Sequence, residues 1–184
     1  MERQEHAVEQ QQTRSRIFAY GSLIWRPDFP FQERTVGYIE GAARRFWQAS
    51  HDHRGTPQSP GRVATLTRLT GVCCWGVTYT LMPEHTEQVY SRLDVREKGG
   101  YDRRTVMFHP REGTPYCVTV YIAEASNSLF VKDEPPEKTA SVIANATGPS
   151  GSNREYLERL VMSLRKLGIS DDYLEQLYTL VASH

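Results

Sequence analysis

No apolar run in this sequence approaches the roughly 20 residues that a membrane-spanning helix needs, so no helical bilayer span is expected. Neither sign of charge is in excess: Lys and Arg together number 22, as do Asp and Glu. That balance predicts no pairing with nucleic acid or with an anionic membrane surface. Protein partners are left unknown by it. Cysteine is scarce. Three are present, two of them adjacent at Cys73 and Cys74, so they cannot all pair internally, and a reducing cytoplasm is the expected location. A charged segment leading into an apolar one, as in a secretory signal, does not open the chain. Both common phosphate-cradling loops, G-x-x-x-x-G-K-[ST] and G-x-G-x-x-G, are missing, so a nucleotide cofactor has no support. His51 and His53 flank Asp52 without a matching Cys or His cluster, so no metal and no cofactor is assigned.

Apolar residues are also nearly absent from residues 1–15, MERQEHAVEQQQTRS. Ordering such a segment costs more conformational entropy than its contacts offset. A disordered polar tail over 1–15 and a single domain over 16–184 are therefore expected, the latter long enough for one well-filled core.

From Arg16 onward the texture changes. RIFAY, TVGYI, RRFWQAS, RVATLT, VCCWGVTYTL, RTVMFH and YCVTVYIA are seven short segments rich in Val, Ile, Thr and aromatics, separated by Gly, Pro or polar residues, and they read as strands. GVTYTL alternates apolar residues with Thr. IFAY and VCCW are nearly continuous, the pattern of strands buried on both faces or closed into a barrel. Helical signals follow. Pro83, Glu84 and Glu87 precede Val89, Tyr90 and Leu93, which predicts a short helix over 83–93. Ser152 with Glu155 makes a capping box ahead of Tyr156, Leu157, Leu160, Val161, Leu164 and Leu167, with Gly168 as terminator. Ser170, Asp171 and Asp172 open another helix carrying Leu174, Leu177 and Val181, and residues 135–146 form a weaker candidate. Strands followed by helices place the chain in the α+β class.

Two stretches carry candidate chemistry. Tyr20-Gly21-Ser22 ends a strand in a corner of backbone N–H groups and one hydroxyl, a shape suited to a carboxylate or phosphate and also to an ordinary tight turn. LDVREKGGY, residues 93–101, sets Glu97 before a Gly99-Gly100 pair that could present it to a cavity or simply end a helix in water. Arg44-Arg45 and Arg103-Arg104 could meet a substrate carboxylate, but charged pairs flanking strands usually face water, which is the expectation here, and Cys73, Cys74 and Cys117 lie in apolar strand patterns that predict burial. GPSG at 148–151 reads most simply as a loop into the capped helix, and its placement would also suit a pocket rim.

YGSLIW at 20–25, RRFWQ at 44–48, DHRG at 52–55, PGRV at 60–63, CWGV at 74–77, LDVREKGGY at 93–101 and GPSGSNREY at 148–156 together resemble the ChaC family, the glutathione-specific γ-glutamylcyclotransferases, in its compact branch. The matches keep family order and cover nearly everything but the tail. The resemblance implies an α+β fold, a γ-glutamylcyclotransferase-like small curved β-barrel with surrounding helices. It also implies a lyase that cleaves glutathione to 5-oxoproline and cysteinylglycine without a cofactor. Glu97 would be the catalytic acid and base. Tyr20, Gly21, Ser22, Leu23 and Ile24 would hold the γ-glutamyl group, and Tyr121 would line the pocket. Tyr101, Arg45 and Arg103 are candidates for the glycyl end. Gln88 is a departure, standing in a stretch where relatives carry more acidic residues. Cyclisation of other γ-glutamyl amides and a non-catalytic γ-glutamyl- or partner-binding module are the alternatives.

Overall fold

The structure is a computed structural model in which residues 14–96, 101–123 and 126–184 are described. Most of the polar tail therefore lies outside the described residues. Ser15, placed in that tail by the sequence, is already tied down: its carbonyl accepts the Leu81 N–H at 2.9 Å.

Five strands close into a barrel: β1 (Arg16–Ala19), β2 (Phe31–Ser50), β3 (Gly61–Leu81), β4 (Tyr101–Pro110) and β5 (Tyr116–Ala123), in the order β1-β3-β2-β4-β5. β1 runs antiparallel to β3 and meets β5 in parallel at Ile17 and Thr119, which closes the circle. Closure removes the open sheet edges that would otherwise pair with other chains. All four β1 residues are buried, as the continuous apolar reading of IFAY predicts.

The seven predicted strands become five because TVGYI and RRFWQAS are halves of β2, and RVATLT and VCCWGVTYTL are halves of β3. Gly41 (φ 69°) and Gly71 (φ 80°) sit at the joints in left-handed backbone. Pairing there jumps from Glu40–Cys73 to Ala42–Arg68. Glycine at such a position makes a bulge that bends a strand without ending it. Among the described residues β2 pairs with β4 over Gly37–Ile39, and its second half continues past that contact on β3, with its other edge bridged to Phe130 at Gln48.

Two strand readings are corrected. Thr78 and Thr80 of GVTYTL are buried together with their apolar neighbours, Thr78 because its hydroxyl is hydrogen-bonded to that of Tyr116 at 3.0 Å. In VCCW only Cys74 is buried; Cys73 and also Cys117 are exposed. The outer face of a closed barrel is covered unevenly, and local alternation does not reveal where cover lies.

Among the described residues four α-helices pack around the strands: α1 (Thr86–Arg96), α2 (Pro136–Asn145), α3 (Asn153–Lys166) and α4 (Asp172–Ala182). In α3 the Ser152 hydroxyl accepts the Glu155 N–H at 3.2 Å. The carboxylate of Glu155 does not return to close the box and binds Arg54 and Arg159 instead. Gly168 (φ 66°) ends α3 as predicted, with its own N–H on Arg165 O and the Ile169 N–H on Leu164 O, a Schellman closure. α4 is capped by Asp171, whose carboxylate accepts the Leu174 N–H. Leu157, Leu160, Leu164, Leu174, Leu177 and Ile143 form the helical part of the core. No described helix is long and apolar enough to cross a membrane.

Candidate functional site

Where β1 runs out, Tyr20 is held from two directions. Its hydroxyl donates to the Tyr121 carbonyl at 2.6 Å, and its own carbonyl accepts Arg44 Nε at 2.7 Å. The chain then turns through a single 3-10 turn, Ser22–Ile24. The N–H groups of Ile24, Trp25 and Arg26 close back on Gly21 and Ser22 carbonyls, while those of Ser22 and Leu23 precede the turn's own bonds, as first-turn donors do. From the barrel side the Tyr79 hydroxyl donates to the Leu23 carbonyl at 2.9 Å.

Arg44, expected to face water, is 2% exposed. Besides Tyr20 it binds Asp171 Oδ2 at 2.5 Å and the Trp75 carbonyl. One guanidinium thus joins the corner, β3 and the cap of α4, with its charge matched and each of its three nitrogens hydrogen-bonded, the condition under which a buried cation is tolerated.

α1 brings the second motif to the same place. Arg96 Nη2 donates to Ser22 Oγ at 2.9 Å and Nη1 lies 3.5 Å from Asp28. Glu97, with Lys98, Gly99 and Gly100, lies outside the described residues. β4 then opens with Tyr101, whose hydroxyl donates to the Ala64 carbonyl at 3.0 Å. Tyr121 donates its hydroxyl to Asp94 Oδ1 at 2.8 Å, and Arg103 holds the other oxygen of Asp94 at 3.1 Å. Burial, reinforced by Asp94, pushes the Tyr121 phenol far above its ordinary range. It therefore stays protonated, and with its proton on Asp94 its oxygen is left as an acceptor.

These groups enclose a cavity of about 490 Å³, within the roughly 300–1,000 Å³ usual for small-molecule sites. Tyr20, Gly21, Ser22, Leu23, Tyr101, Tyr121 and Arg96 line it. Three predicted residues do not: Ile24, Arg45 and Arg103, the last of which is held on Asp94 outside it. Ile24 is 3% exposed and packs in the core, and the Arg45 guanidinium lies over the Tyr173 ring at 4.6 Å. Successive strand residues point to opposite faces, so Arg44 and Arg45 part company, and it is Arg44 that reaches the corner.

The sequence reading did not single out Trp25, Tyr156 or the His51–Arg54 loop as lining residues, whereas Ser150 lies in GPSG, whose placement suited a pocket rim. Trp25 and Tyr156 meet edge to face at 5.3 Å. The loop carries most of DHRG, and the available signal for it was its presence with GPSG in one set of motifs. Gly148 explains their contact: a Cβ there would fall 2.4 Å from the His53 carbonyl and 2.5 Å from the Gly55 nitrogen. Only glycine lets the GPSG turn lie on the DHRG loop. Beyond it, the hydrogen bond from Arg54 holds the Glu155 carboxyl below the usual carboxylate range, with Arg159 adding to the effect. Among the described residues no group of three or more His, Cys, Asp or Glu could hold a metal ion.

The sequence profile of the family described as ChaC-like protein matches residues 15–184. Glutathione-specific gamma-glutamylcyclotransferase 1 of Danio rerio is 45% identical over 154 residues, covering 81% of this chain and 78% of that protein. Gamma-glutamylcyclotransferase 2-3 of Arabidopsis thaliana is 40% identical, covering 88% of this chain and 85% of its own length. A crystal structure of the yeast γ-glutamyl cyclotransferase specific to glutathione superposes with a TM-score of 0.89 at 33% identity, over 92% of this chain and 96% of that one. A further γ-glutamyl cyclotransferase structure, 18% identical with a TM-score of 0.56, shares the fold. With its barrel, its helices and its motifs in order along nearly the whole chain, this protein belongs to the ChaC-like family.

Proposed function

We propose that the chain is a γ-glutamylcyclotransferase that cleaves reduced glutathione to 5-oxoproline and cysteinylglycine. The observation that carries this reading is the bond from Arg96 to Ser22, which joins the R-E-K-G-G-Y stretch to the Tyr-Gly-Ser corner at the wall of one cavity. Relatives named for this activity, at 45% identity in Danio rerio and 35% in Saccharomyces cerevisiae, support it.

In the reaction the substrate's α-amine attacks its own γ-carbonyl, a five-membered lactam forms, and the γ-amide C–N bond breaks. The amine loses a proton and the departing nitrogen gains one, so atoms and charge balance within the substrate. Because nucleophile and electrophile are tethered, holding the glutamyl chain folded can supply an effective molarity of about 10⁵ M or more. In this reading the Ser22 and Leu23 N–H groups and the Ser22 hydroxyl grip the α-carboxylate, and the Tyr121 oxygen accepts from the α-amine. Glu97 takes the amine's proton and returns it to the leaving nitrogen, a shuttle that contributes roughly 10²- to 10⁴-fold.

The test is incubation of purified protein with reduced glutathione, following 5-oxoproline by mass spectrometry beside a Glu97→Gln control. Product from the wild type alone is expected; equal turnover by the variant would overturn the role given to Glu97. The Arabidopsis relative's name specifies no substrate, which favours a second reading, cyclisation of γ-glutamyl amides more widely, and γ-glutamyl-alanine as competing substrate separates the two. A cytosolic location, also proposed, is supported by three cysteines that are all free.

A further inference from the structure

The cavity has a cationic end that the reaction as written leaves unused. After β2 finishes at Ser50, that residue's hydroxyl accepts the Arg54 backbone N–H at 3.0 Å and turns the chain so that the Arg54 guanidinium comes to lie 5.7 Å from the centre of the Tyr156 ring. The Arg54 side chain is 10% exposed and lines the cavity. It donates to the Ser152 carbonyl at 3.0 Å and to Glu155 Oε2 at 2.9 Å. Both bonds leave from Nη1, and the other guanidinium nitrogens make none to the described residues.

The charge around Arg54 does not cancel. Glu155 is shared, because its second oxygen takes Arg159 Nη2 at 2.7 Å. One carboxylate between two guanidiniums leaves a positive charge over. Asp52, the acidic residue of the same loop, is 79% exposed and screened by water. Beside Arg54 the Ser150 hydroxyl sits on the cavity wall, 3.2 Å from His53 Nδ1.

Tyr156 measures the distance between the two ends. A Cβ on Gly21 would lie 3.1 Å from its hydroxyl, while its ring approaches Arg54, so the corner and the guanidinium are set apart by about one tyrosine side chain. A γ-glutamyl tripeptide carries two carboxylates, one on the glutamyl α-carbon and one on its terminal glycine. With the first in the Tyr20–Leu23 corner, the second needs a buried cation with unused donors further along the same cavity. We infer that Arg54 binds the glycyl carboxylate and so selects the tripeptide over shorter γ-glutamyl compounds. This rests on the γ-glutamyl reading of the corner given above. Neither earlier candidate arginine is available: Arg45 stacks on Tyr173 and Arg103 is engaged with Asp94. Arg54 discriminates because a buried donor left without its acceptor is costly, so a substrate lacking that carboxylate is rejected by the site.

The experiment compares 5-oxoproline release from glutathione, from its glycyl ethyl ester and from γ-glutamylcysteine. Wild type, Arg54→Lys and Arg54→Met proteins are used. The wild type should favour glutathione over the ester in kcat/KM by at least about tenfold, the worth of a charge-assisted bond. Arg54→Met should level the three substrates by raising KM for glutathione, and Arg54→Lys should recover part of the preference. Equal handling of acid and ester by the wild type overturns the inference while leaving the cyclotransferase reading intact. So does an equal loss on all three substrates in both variants, the mark of a structural clamp. Release from none of the three by the wild type removes the cyclotransferase reading, and this inference with it.

Discussion

At one end of the cavity the Tyr20–Leu23 corner hangs from groups with little contact with water: Arg44, the Tyr79 hydroxyl and the Tyr121 carbonyl. At the other end the DHRG loop is tied to α3 through Arg54 and Glu155, and the Glu155 side chain is 39% exposed. Hydrogen bonds made inside a low-dielectric core resist salt and moderate acid, whereas an ion pair with one partner in water is screened and can be titrated away. Within a single pocket, the end where chemistry is proposed is the rigid one. The end where selectivity is proposed is adjustable.

Removing the rigid anchor should have the largest effect. Arg44→Met strips the partners from Asp171 and from two carbonyls, and breaking a buried pair costs about 3–5 kcal/mol. Chemical denaturation should show that loss, with 5-oxoproline production falling because Tyr20 is no longer held. Arg44→Met at wild-type stability would mean that the corner stands without it. A smaller effect is expected at the adjustable end. Gly148→Ala places a methyl against the His53 carbonyl and the Gly55 nitrogen, which should cost about 1–3 kcal/mol as overpacking does. It should also displace the DHRG loop, so KM for glutathione should rise more than kcat falls.

The smallest effect is the response to acid. The Glu155 carboxyl titrates below its ordinary value of 4.5, so it favours the folded state above that pH. Its contribution should disappear as pH falls through the depressed value. Glu155→Gln should therefore flatten the acid limb of a pH–stability curve and leave the curve above pH 5 unchanged in shape. A loss of order at the Tyr20–Leu23 corner over the same range would erase the contrast between the ends.

Parts of this arrangement were legible beforehand. The α3 cap at Ser152 and its terminator at Gly168 could be read because helix ends depend on residues three or four apart. The Tyr-Gly-Ser corner could be read because a strand stops there. Gly41 and Gly71 were misread as strand boundaries, since a glycine in left-handed backbone looks the same in sequence whether the chain turns back or only bulges. The roles of Arg44 and Arg45 were illegible, because period-two alternation says that adjacent residues part and not which one goes inward. The exposed thiols of Cys73 and Cys117 followed the same rule, decided by what covers the outside of the barrel. Gln48 and Asn153 are buried polar residues that no local pattern separates from their exposed counterparts.

Sequence by itself determined the helices, the N-caps at Ser152 and Asp171, the strand-rich first two-thirds and the identity of the motifs, because each is specified by neighbours a few residues away or by short runs of residue types. Tertiary structure alone decided that Arg96 meets Ser22 across 74 residues and that Arg44 reaches Asp171 across 127. It also decided that Gly148 lies on the DHRG loop. Those contacts arise from barrel closure and helix docking, which bring distant segments together through burial, and burial is a property of the whole chain.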